Sequence, residues 1–471
     1  MARLPEEFTS QMQDLLGKEY PAFVASLDGE VPVSLRINRA RLRNSVQSGE
    51  DREILPENQA EAVPWCSSGY YLRSRPSFTF DPKFHAGCYY VQEASSMFLE
   101  QAIKTVVTQP VCALDLCAAP GGKSTHLSSL LPEDSLLVAN EVIRSRANIL
   151  AENNIKWGNP AVIVTNNDPA EIGKLEHCFD LILTDVPCSG EGMFRKDPQS
   201  INEWSPSNVI LCAERQRRII AGIWPALKPG GILIYSTCTY NIPEDEDNIA
   251  RIAEEFGGKV LEIPADHSWN INGKLKGTYP VYRFMPHRTK GEGFFMAVIR
   301  KENGDDTPEV AGCRKTKIPG KEKGRQNKTV RIPQEITSWI TTPENYSFFE
   351  DRGVFSAFPL KHLEKLRIFK ESLKILYAGI SIGELKGKDI IPCHNLALST
   401  AFNRKIFPEL QLDKNQALNY LRKEALFNLP ESCPKGYNVV SYDGFILGFI
   451  KNIGNRANNL YPQEWRIRST I

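Results

Sequence analysis

Two cysteines stand where strand-like runs stop. Cys188 ends Asp185-Val186-Pro187-Cys188, and Cys238 lies in Ser236-Thr237-Cys238-Thr239. A thiolate is a strong nucleophile, so a cysteine presented at a strand end is a candidate for covalent chemistry. A third stretch, Leu114 to Leu131, reads LDLCAAPGGKSTHLSSLL. It begins apolar, turns at Pro120-Gly121-Gly122, and resumes with Leu127, Leu130 and Leu131 at the spacing of one helix face. Asp115 is expected to end a strand, and a helix to begin near Lys123 or Ser124. In an open α/β sheet such a turn holds a ligand at the carboxyl end of the strand. The ligand is not a nucleotide phosphate on a P-loop, because Cys117 stands where that loop needs its first glycine. Nor is there a G-x-G-x-x-G dinucleotide fingerprint, since only Gly121-Gly122 is present.

The chain of 471 residues is long enough for about three domains. With 41% hydrophobic and 24% charged residues it has the composition of a soluble protein that buries more than one core. Its net charge of +1 excludes polyanion binding by overall charge, so any nucleic-acid contact must come from local patches. The start, MARLPEEFTSQM, shows no signal peptide, and no apolar run reaches the roughly 20 residues of a membrane span. The 11 cysteines form no C-x-x-C pair, so neither a metal site nor a disulfide scaffold is expected. A reducing cytoplasm follows, in which free thiols are available for chemistry.

The elements that must position these residues alternate between strand and helix. Strands are expected at 136–141, 161–164, 181–183 and 231–235, with a last one at 294–299 and helices between them, the rhythm of a largely parallel sheet. Ahead of them, Phe8, Met12, Leu15 and Leu16 share a helix face, and 33–38 alternates like a strand, with Arg36 and Arg39 on a basic edge. Residues 87–97 join a strand-like run to a helix. From Arg314 to Arg331 eight basic residues face one acid, Glu322, which reads as a linker. Beyond it, 346–349 and 354–358 are strand-like, and a helix is expected around 414–425. Asp443-Gly444 between two alternating runs signals a hairpin.

Three motifs in this order, LDLCAAPGGKSTHLSSLL, TDVPCSGEGMFRK and YSTCTYNIPEDE, resemble the RNA (cytosine-5) methyltransferases of the Sun/Nop type, over most of residues 4–300. The resemblance is nearest to the bacterial small-subunit ribosomal RNA branch, and the tail from Asn458 to Arg466 resembles a PUA-like RNA-binding module. It implies an α/β fold: a Rossmann-like methyltransferase domain with an N-terminal α+β cap and a C-terminal strand-rich PUA-like extension. The implied divisions are a cap at 1–65 that contacts RNA, a methyltransferase domain at 66–303, a basic linker at 304–335 and an RNA-binding extension at 336–471. S-adenosylmethionine is the implied methyl donor. Cys117, Ala118, Ala119, Pro120, Gly121, Gly122 and Lys123 would line its methionine and ribose end, with Asp185 alongside. Glu141 would meet the ribose hydroxyls, Arg146 would support it, and Asp168 would lie near the adenine amine. Asp168 before Pro169 also fits a plain helix cap. By the same resemblance Cys238 is the nucleophile, Cys188 helps product release, and Asp185 bonds the cytosine edge. A thiolate added to carbon 6 makes carbon 5 electron-rich enough to take a methyl group. Val186 departs from the pattern, where the family often has a smaller residue. The implied partner is RNA, in particular small-subunit ribosomal RNA or the assembled subunit, with no membrane and no metal; no oligomeric state is implied. Transfer RNA is the alternative substrate, and a non-catalytic RNA-binding ribosome assembly factor the alternative class. A DNA enzyme is opposed by Cys238, because the resemblance places the DNA enzymes' nucleophile at the Pro-Cys cysteine.

Overall fold

The computed structural model describes residues 4–44, 54–55, 60–302, 314–315, 332–427, 429–431 and 433–469. Two helices, α1 (Glu6–Leu16) and α2 (Tyr20–Leu27), come first, and α1 buries Phe8 and Met12. Phe8 packs edge-on against Phe194 and Trp204, so this helical pair lies on a loop of the large domain. Then follow β1 (Val33–Ile37), α3 (Arg39–Asn44), β2 (Glu61–Ala62), β3 (Gly69–Leu72), α4 (Pro82–His85) and β4 (Tyr89–Val91). They form an antiparallel sheet in the order β2-β3-β1-β4. The sheet crosses the boundary expected at residue 65, because both partners that β1 needs lie beyond it.

Arg36 is a correction. The alternating pattern placed it on a solvated or RNA-facing edge, but it is fully buried. Its Nε donates to Gln92 Oε1 at 2.9 Å, and Nη2 donates to Thr125 Oγ1 at 2.7 Å and to the Gly122 carbonyl at 3.3 Å. The guanidinium also lies 4.4 Å from the centre of the Trp157 ring. The reason is that β1 is covered on both faces: Leu35 and Ile37 join a core shared with the C-terminal region, while Arg36 faces the large domain. Arg39 is exposed and donates to the Ser67 carbonyl.

The large domain begins with α5 (Leu99–Val106) and continues as β5 (Cys112–Asp115), α6 (Gly122–Leu130), β6 (Leu136–Asn140), α7 (Arg144–Trp157), β7 (Val162–Thr165), α8 (Pro169–Gly173) and β8 (Leu175–Glu176). It goes on through β9 (Phe179–Asp185), α9 (Pro198–Glu203), α10 (Pro206–Ile223), β10 (Leu227–Thr237), α11 (Glu246–Phe256), β11 (Gly258–Leu261), β12 (Tyr282–Phe284) and β13 (Phe294–Lys301). Strands β10, β9, β5, β6 and β7 lie side by side and parallel. β13 runs antiparallel between β10 and β11. The strands are apolar at nearly every position because both faces are buried. Ala113, Leu181 and Ile234 point into one core, and Leu114, Ile182 and Leu233 into the other. The expected strands are present. β10 starts four residues before the expected 231, its early part held by an irregularity between Leu227 and Ile232. Helix α6 buries Ser124, Thr125, His126 and Leu127 rather than a leucine face, because Thr125 receives Arg36 and His126 meets Glu100.

Of the basic linker, Arg314–Lys315 is described as a short strand, β14, paired with β8; the rest up to Arg331 lies outside the described residues. Cys188 and Cys238 are free thiols. The C-terminal region holds two four-stranded sheets. The first contains β15 (Tyr346–Asp351), β16 (Val354–Pro359), β18 (Ile380–Lys386) and β19 (Asp389–Pro392). The second contains β20 (Glu409–Gln411), β21 (Gly436–Tyr442), β22 (Phe445–Asn452) and β23 (Ala457–Asn459). The β21–β22 hairpin turns at Asp443-Gly444, both at positive φ, as the Asp-Gly signal requires. Between these sheets' elements, β17 (Ile375–Ala378) leaves the region and pairs antiparallel with β7, so the C-terminal region supplies the last strand of the large sheet. Among the described residues no helix is long and apolar enough to cross a membrane.

Replacing Arg36 by alanine leaves Gln92 and Thr125 without their donor and opens a cavity at the joint between the two sheets. The expected loss is about 3 kcal/mol in urea unfolding, whereas Arg39→Ala, at the surface, should change stability by under about 0.5 kcal/mol. Equal effects of the two changes would refute the structural role given to Arg36.

Candidate active site

The turn after β5 is built from its neighbours' side chains. The Leu116 amide donates to the Leu183 carbonyl and the Ala118 amide to the Asn140 carbonyl, each at 2.9 Å. Asn140, at the end of β6, ties three strands: its Nδ2 donates to the carbonyls of Leu116 and Asn167, and its Oδ1 accepts from Thr165 Oγ1 and the Asn167 amide. Helix α7 holds the outer side, where Arg146 Nη2 donates to the Ala119 carbonyl at 2.9 Å and Asn153 Nδ2 to the Pro120 carbonyl at 2.8 Å. Gly121 has φ +119°, and a Cβ there would lie 3.2 Å from that of Asn153, so both the backbone angle and the space call for glycine.

This turn forms one wall of a cleft lined by Cys117, Ala118, Ala119, Pro120, Gly122 and Lys123, with Asp185 at its inner end. The rest of the lining is Tyr90 of β4 with Gln92, Glu93 and Ser96 just after it, and Gly121 is not part of it. Glu141, Arg146 and Asp168 lie outside this lining, at the ends of β6 and β7. Buried Glu141 accepts from the Ile143 amide at 2.9 Å and lies 3.6 Å from Arg146. Asp168 is exposed and caps α8, accepting from the Ala170 amide at 2.9 Å in a capping box with Glu171. The cap reading of Asp168 thus describes what its side chain does here.

The chemistry gathers where β9 and β10 end. Asp185 lies opposite Ser236 in the parallel register. Its Oδ1 accepts from Ser236 Oγ at 2.8 Å, and its Oδ2 pairs with Lys123 Nζ at 2.8 Å. Burial alone would lower the Lys123 ammonium, but the adjoining Asp185 carboxylate outweighs it and holds the group above its ordinary value. Past these strand ends the two cysteines meet. The Cys188 and Cys238 sulfurs are 3.0 Å apart, and the Cys238 amide donates to Cys188 Sγ at 3.3 Å. The bond to Cys238, and then burial, push the Cys188 thiol well up, so it keeps its proton at neutral pH. Gly192 comes close enough for its amide to donate to the Cys238 carbonyl at 2.9 Å, in a space where a Cβ would strike that oxygen. The site therefore brings a thiol pair, an ion pair and a ligand cleft into contact.

Sequence reasoning misplaced Arg36 and missed Asn140, Asn153 and two buried carboxylates, Glu191 and Glu244, that hold the cysteine loops. Glu191 accepts from Thr239 Oγ1 and the Tyr240 amide. Glu191 and Glu244 lie inside the quoted motifs, but nothing in a local pattern tells a buried carboxylate from a solvated one. Cys66, Glu100 and His126 also meet in the interior, with Cys66 Sγ 3.8 Å and a Glu100 oxygen 3.7 Å from His126 Nε2. Lys104 and the Ser67 amide bond the other Glu100 oxygen, and among the described residues the oxygen facing His126 has no hydrogen-bond donor of its own.

Asp115, at the foot of the turn, is pushed up to about 7 by burial and by the nearby Asp185 and Glu141 carboxylates, against the Ser124 hydroxyl that donates to it at 2.6 Å. Between its ordinary value of 3.8 and about 7, the folded chain holds a proton that the unfolded chain has lost. This group's contribution to stability is therefore present at low pH and lost as pH rises to about 7, by up to about 4 kcal/mol. Asp115→Asn should remove that slope, so that its unfolding free energy relative to the unchanged protein rises from pH 5 to pH 8. Parallel pH profiles in urea unfolding would contradict the assignment.

Three family models match successive parts of the chain: the N-terminal domain of 16S rRNA methyltransferase RsmF at residues 4–94, 16S rRNA methyltransferase RsmB/F at 107–300, and the methyltransferase RsmF PUA domain at 407–467. The chain is 32% identical to the ribosomal RNA small subunit methyltransferase F of Aliivibrio fischeri, over 98% of its own length and 97% of that protein. Against the same-named protein of an Enterobacter species it is 29% identical over 98% and 95%. A methyltransferase homologue from Pyrococcus horikoshii superposes with a TM-score of 0.54 and 28% identity, over 63% of this chain and 95% of that one. NSun6 from the same organism, solved with SFG, shares the fold at a TM-score of 0.54 and 20% identity, over 64% and 99%.

Proposed function

The chain belongs to the RsmB/F family of 16S rRNA methyltransferases, and we propose that it transfers a methyl group from S-adenosylmethionine to carbon 5 of a cytosine in small-subunit ribosomal RNA. The observation that carries this reading is the thiol pair: two free cysteine sulfurs 3.0 Å apart at the ends of adjacent parallel strands, beside the cleft of the β5 turn. Methylation of an exocyclic amine needs no thiol, whereas carbon 5 of a cytosine needs a covalent partner at carbon 6.

The residues present fit the donor. The glycine turn lets backbone approach a ligand, one oxygen of Asp115 at its foot is buried without a partner, and Tyr90 and Gln92 complete the lining. Glu141 and Arg146 stand at the next strand end, where an acid meets ribose hydroxyls in related folds. S-adenosylmethionine supplies an electrophilic methyl group there.

Cys238, as the thiolate, forms a bond from Sγ to carbon 6 of the cytosine as the carbon 5–carbon 6 π pair shifts onto the ring. Asp185, oriented by Ser236 and Lys123, accepts from the base edge, and the Lys123 ammonium offsets the negative charge that the addition puts on the ring. Once carbon 5 carries the methyl group, water in the cleft takes its proton, the freed electron pair restores the ring double bond, and the sulfur–carbon 6 bond breaks to return the Cys238 thiolate. Cys188, which holds its own proton beside Cys238, is the group that can hydrogen-bond the departing sulfur. A base-paired cytosine cannot reach such a cleft, so the target is single-stranded or flipped out. The PUA-matching module and the N-terminal sheet share one core.

The test is transfer of labelled methyl groups to naked 16S ribosomal RNA, isolated small subunits and transfer RNA. Label in ribosomal RNA or the subunit, absent with Cys238→Ala, is the expected result. Cys188→Ala should instead accumulate a denaturation-stable protein–RNA adduct. Label confined to transfer RNA would replace the substrate, and an active Cys238→Ala enzyme would overturn the nucleophile.

A further inference from the structure

The strands bring Cys188 and Cys238 near each other but do not set their distance. The parallel register of β9 and β10 ends at the Asp185–Ser236 pair, and the cysteines lie three and two residues further on, in separate loops. The loops bond each other through Ser189 and Thr239 and through Glu191, and one further side chain, outside the reaction just described, grips both. Glu244, in the loop before α11, is fully buried. Its Oε2 accepts from the Ser189 amide at 3.0 Å and from Gln216 Nε2 at 2.7 Å. Its Oε1 accepts from Asn241 Nδ2 at 2.7 Å. Ser189 directly follows Cys188, and Asn241 lies three residues past Cys238. The same Gln216 amide donates to the Pro187 carbonyl at 3.0 Å, so the residues on both sides of Cys188 are tied to this carboxylate. Asn241 also donates to Thr239 Oγ1 at 2.9 Å, which reaches the residue next to Cys238.

We propose that Glu244 is a positioning residue that holds Cys188 against Cys238 by gripping both cysteine loops at once, and so sets the rate at which the methylated RNA is released. This rests on the methyltransferase reading above. Every one of these partners donates, and all are neutral. Burying a carboxylate among neutral donors is unfavourable relative to packing apolar groups. It is the one small group that can accept from a main-chain amide and two side-chain amides together. Glutamine cannot replace it, because its own NH2 would face a donor. Gln216 has no spare acceptor to offer by turning over, since its oxygen already takes Tyr235 OH and Asn248 Nδ2. The negative carboxylate also adds to the forces that keep the Cys188 proton in place.

The experiment compares Glu244→Gln in the full chain with the unchanged protein and with Cys188→Ala. One readout needs no RNA: diamide, which takes two electrons and two protons from a thiol pair, forms a Cys188–Cys238 disulfide at a rate set by their proximity, followed by peptide mass spectrometry. Glu244→Gln should slow this closure about tenfold. With RNA, multiple-turnover kcat should fall about 100-fold, the denaturation-stable adduct should accumulate as in Cys188→Ala, and the Kd for S-adenosylmethionine should stay within about twofold. Should that variant lose cooperative unfolding, Asn241→Ala removes the bond between Glu244 and the Cys238 loop, with the weaker Asn241 bond to Ser189 Oγ, and is expected to slow disulfide closure in the same way. Unchanged disulfide closure would overturn the proposal whatever the RNA assays give. So would a fall in methyl transfer matched by an equal loss of donor binding, the mark of general damage. An unchanged protein that yields neither label nor adduct on any RNA, yet closes the disulfide faster than Glu244→Gln, would fail the reaction while leaving the loop-gripping role intact.

Discussion

The site depends on the parallel pairing of β9 and β10 in a register that ends with Asp185 opposite Ser236. Parallel neighbours point their carboxyl ends the same way, so the loops that follow them start side by side. A one-residue slip would turn the inward side chains outward and separate the thiols. The two cores on the faces of the sheet prevent the slip: Ile182 and Leu233 would have to exchange places with Leu183 and Ile234. Hydrophobic packing far below the cleft therefore fixes which atoms meet at its mouth.

Around that mouth the chain holds charges in places where burial works against them. Arg36, Asp115 and Glu244 are fully buried, and each acts on a particular segment of the site. Arg36 holds the start of α6 from the N-terminal sheet, Asp115 receives the Ser124 hydroxyl under the turn, and Glu244 joins the cysteine loops. Apolar groups would pack there more cheaply, but they cannot fix the direction of a loop as a set of short hydrogen bonds can. Polar groups in the interior are concentrated where geometry has to be specified.

The flanking regions belong to the same construction. β17 closes the edge of the large sheet beside β7, and the Asn166 amide donates to the Lys374 carbonyl at 3.0 Å. The segment that leads into Asp168 is thus held by the C-terminal region. Leu35 and Tyr89 of the first sheet share a core with Leu412 and Val440 of the last. An RNA held by the two ends of the chain would bear on the domain between them through continuous packing rather than through a flexible tether.

The turn at 117–123, the two cysteines and Asp185 were singled out in the sequence by their motifs and the resemblance those carry, and the fold brings them to one end of the sheet, because close backbone approach and nucleophilic chemistry need particular residue types at particular places. The apolar runs of the parallel strands were legible for a similar reason: a strand buried on both faces admits little but apolar residues. Arg36 was misplaced because alternation cannot reveal a second sheet lying over a strand's polar side. Asp168 was legible both as a cap and as a ligand, and its side chain here forms the cap. Glu244, Glu191 and Asn140 have no local signature, since a carboxylate or amide in a loop looks the same whether water or three buried donors surround it. Residue type determined what chemistry this chain can perform. Which polar side chains hold the reacting groups in place was decided only when segments about 50 residues apart were packed into a shared interior, because burial and hydrogen-bond partners are properties of the folded neighbourhood and not of the sequence around one residue.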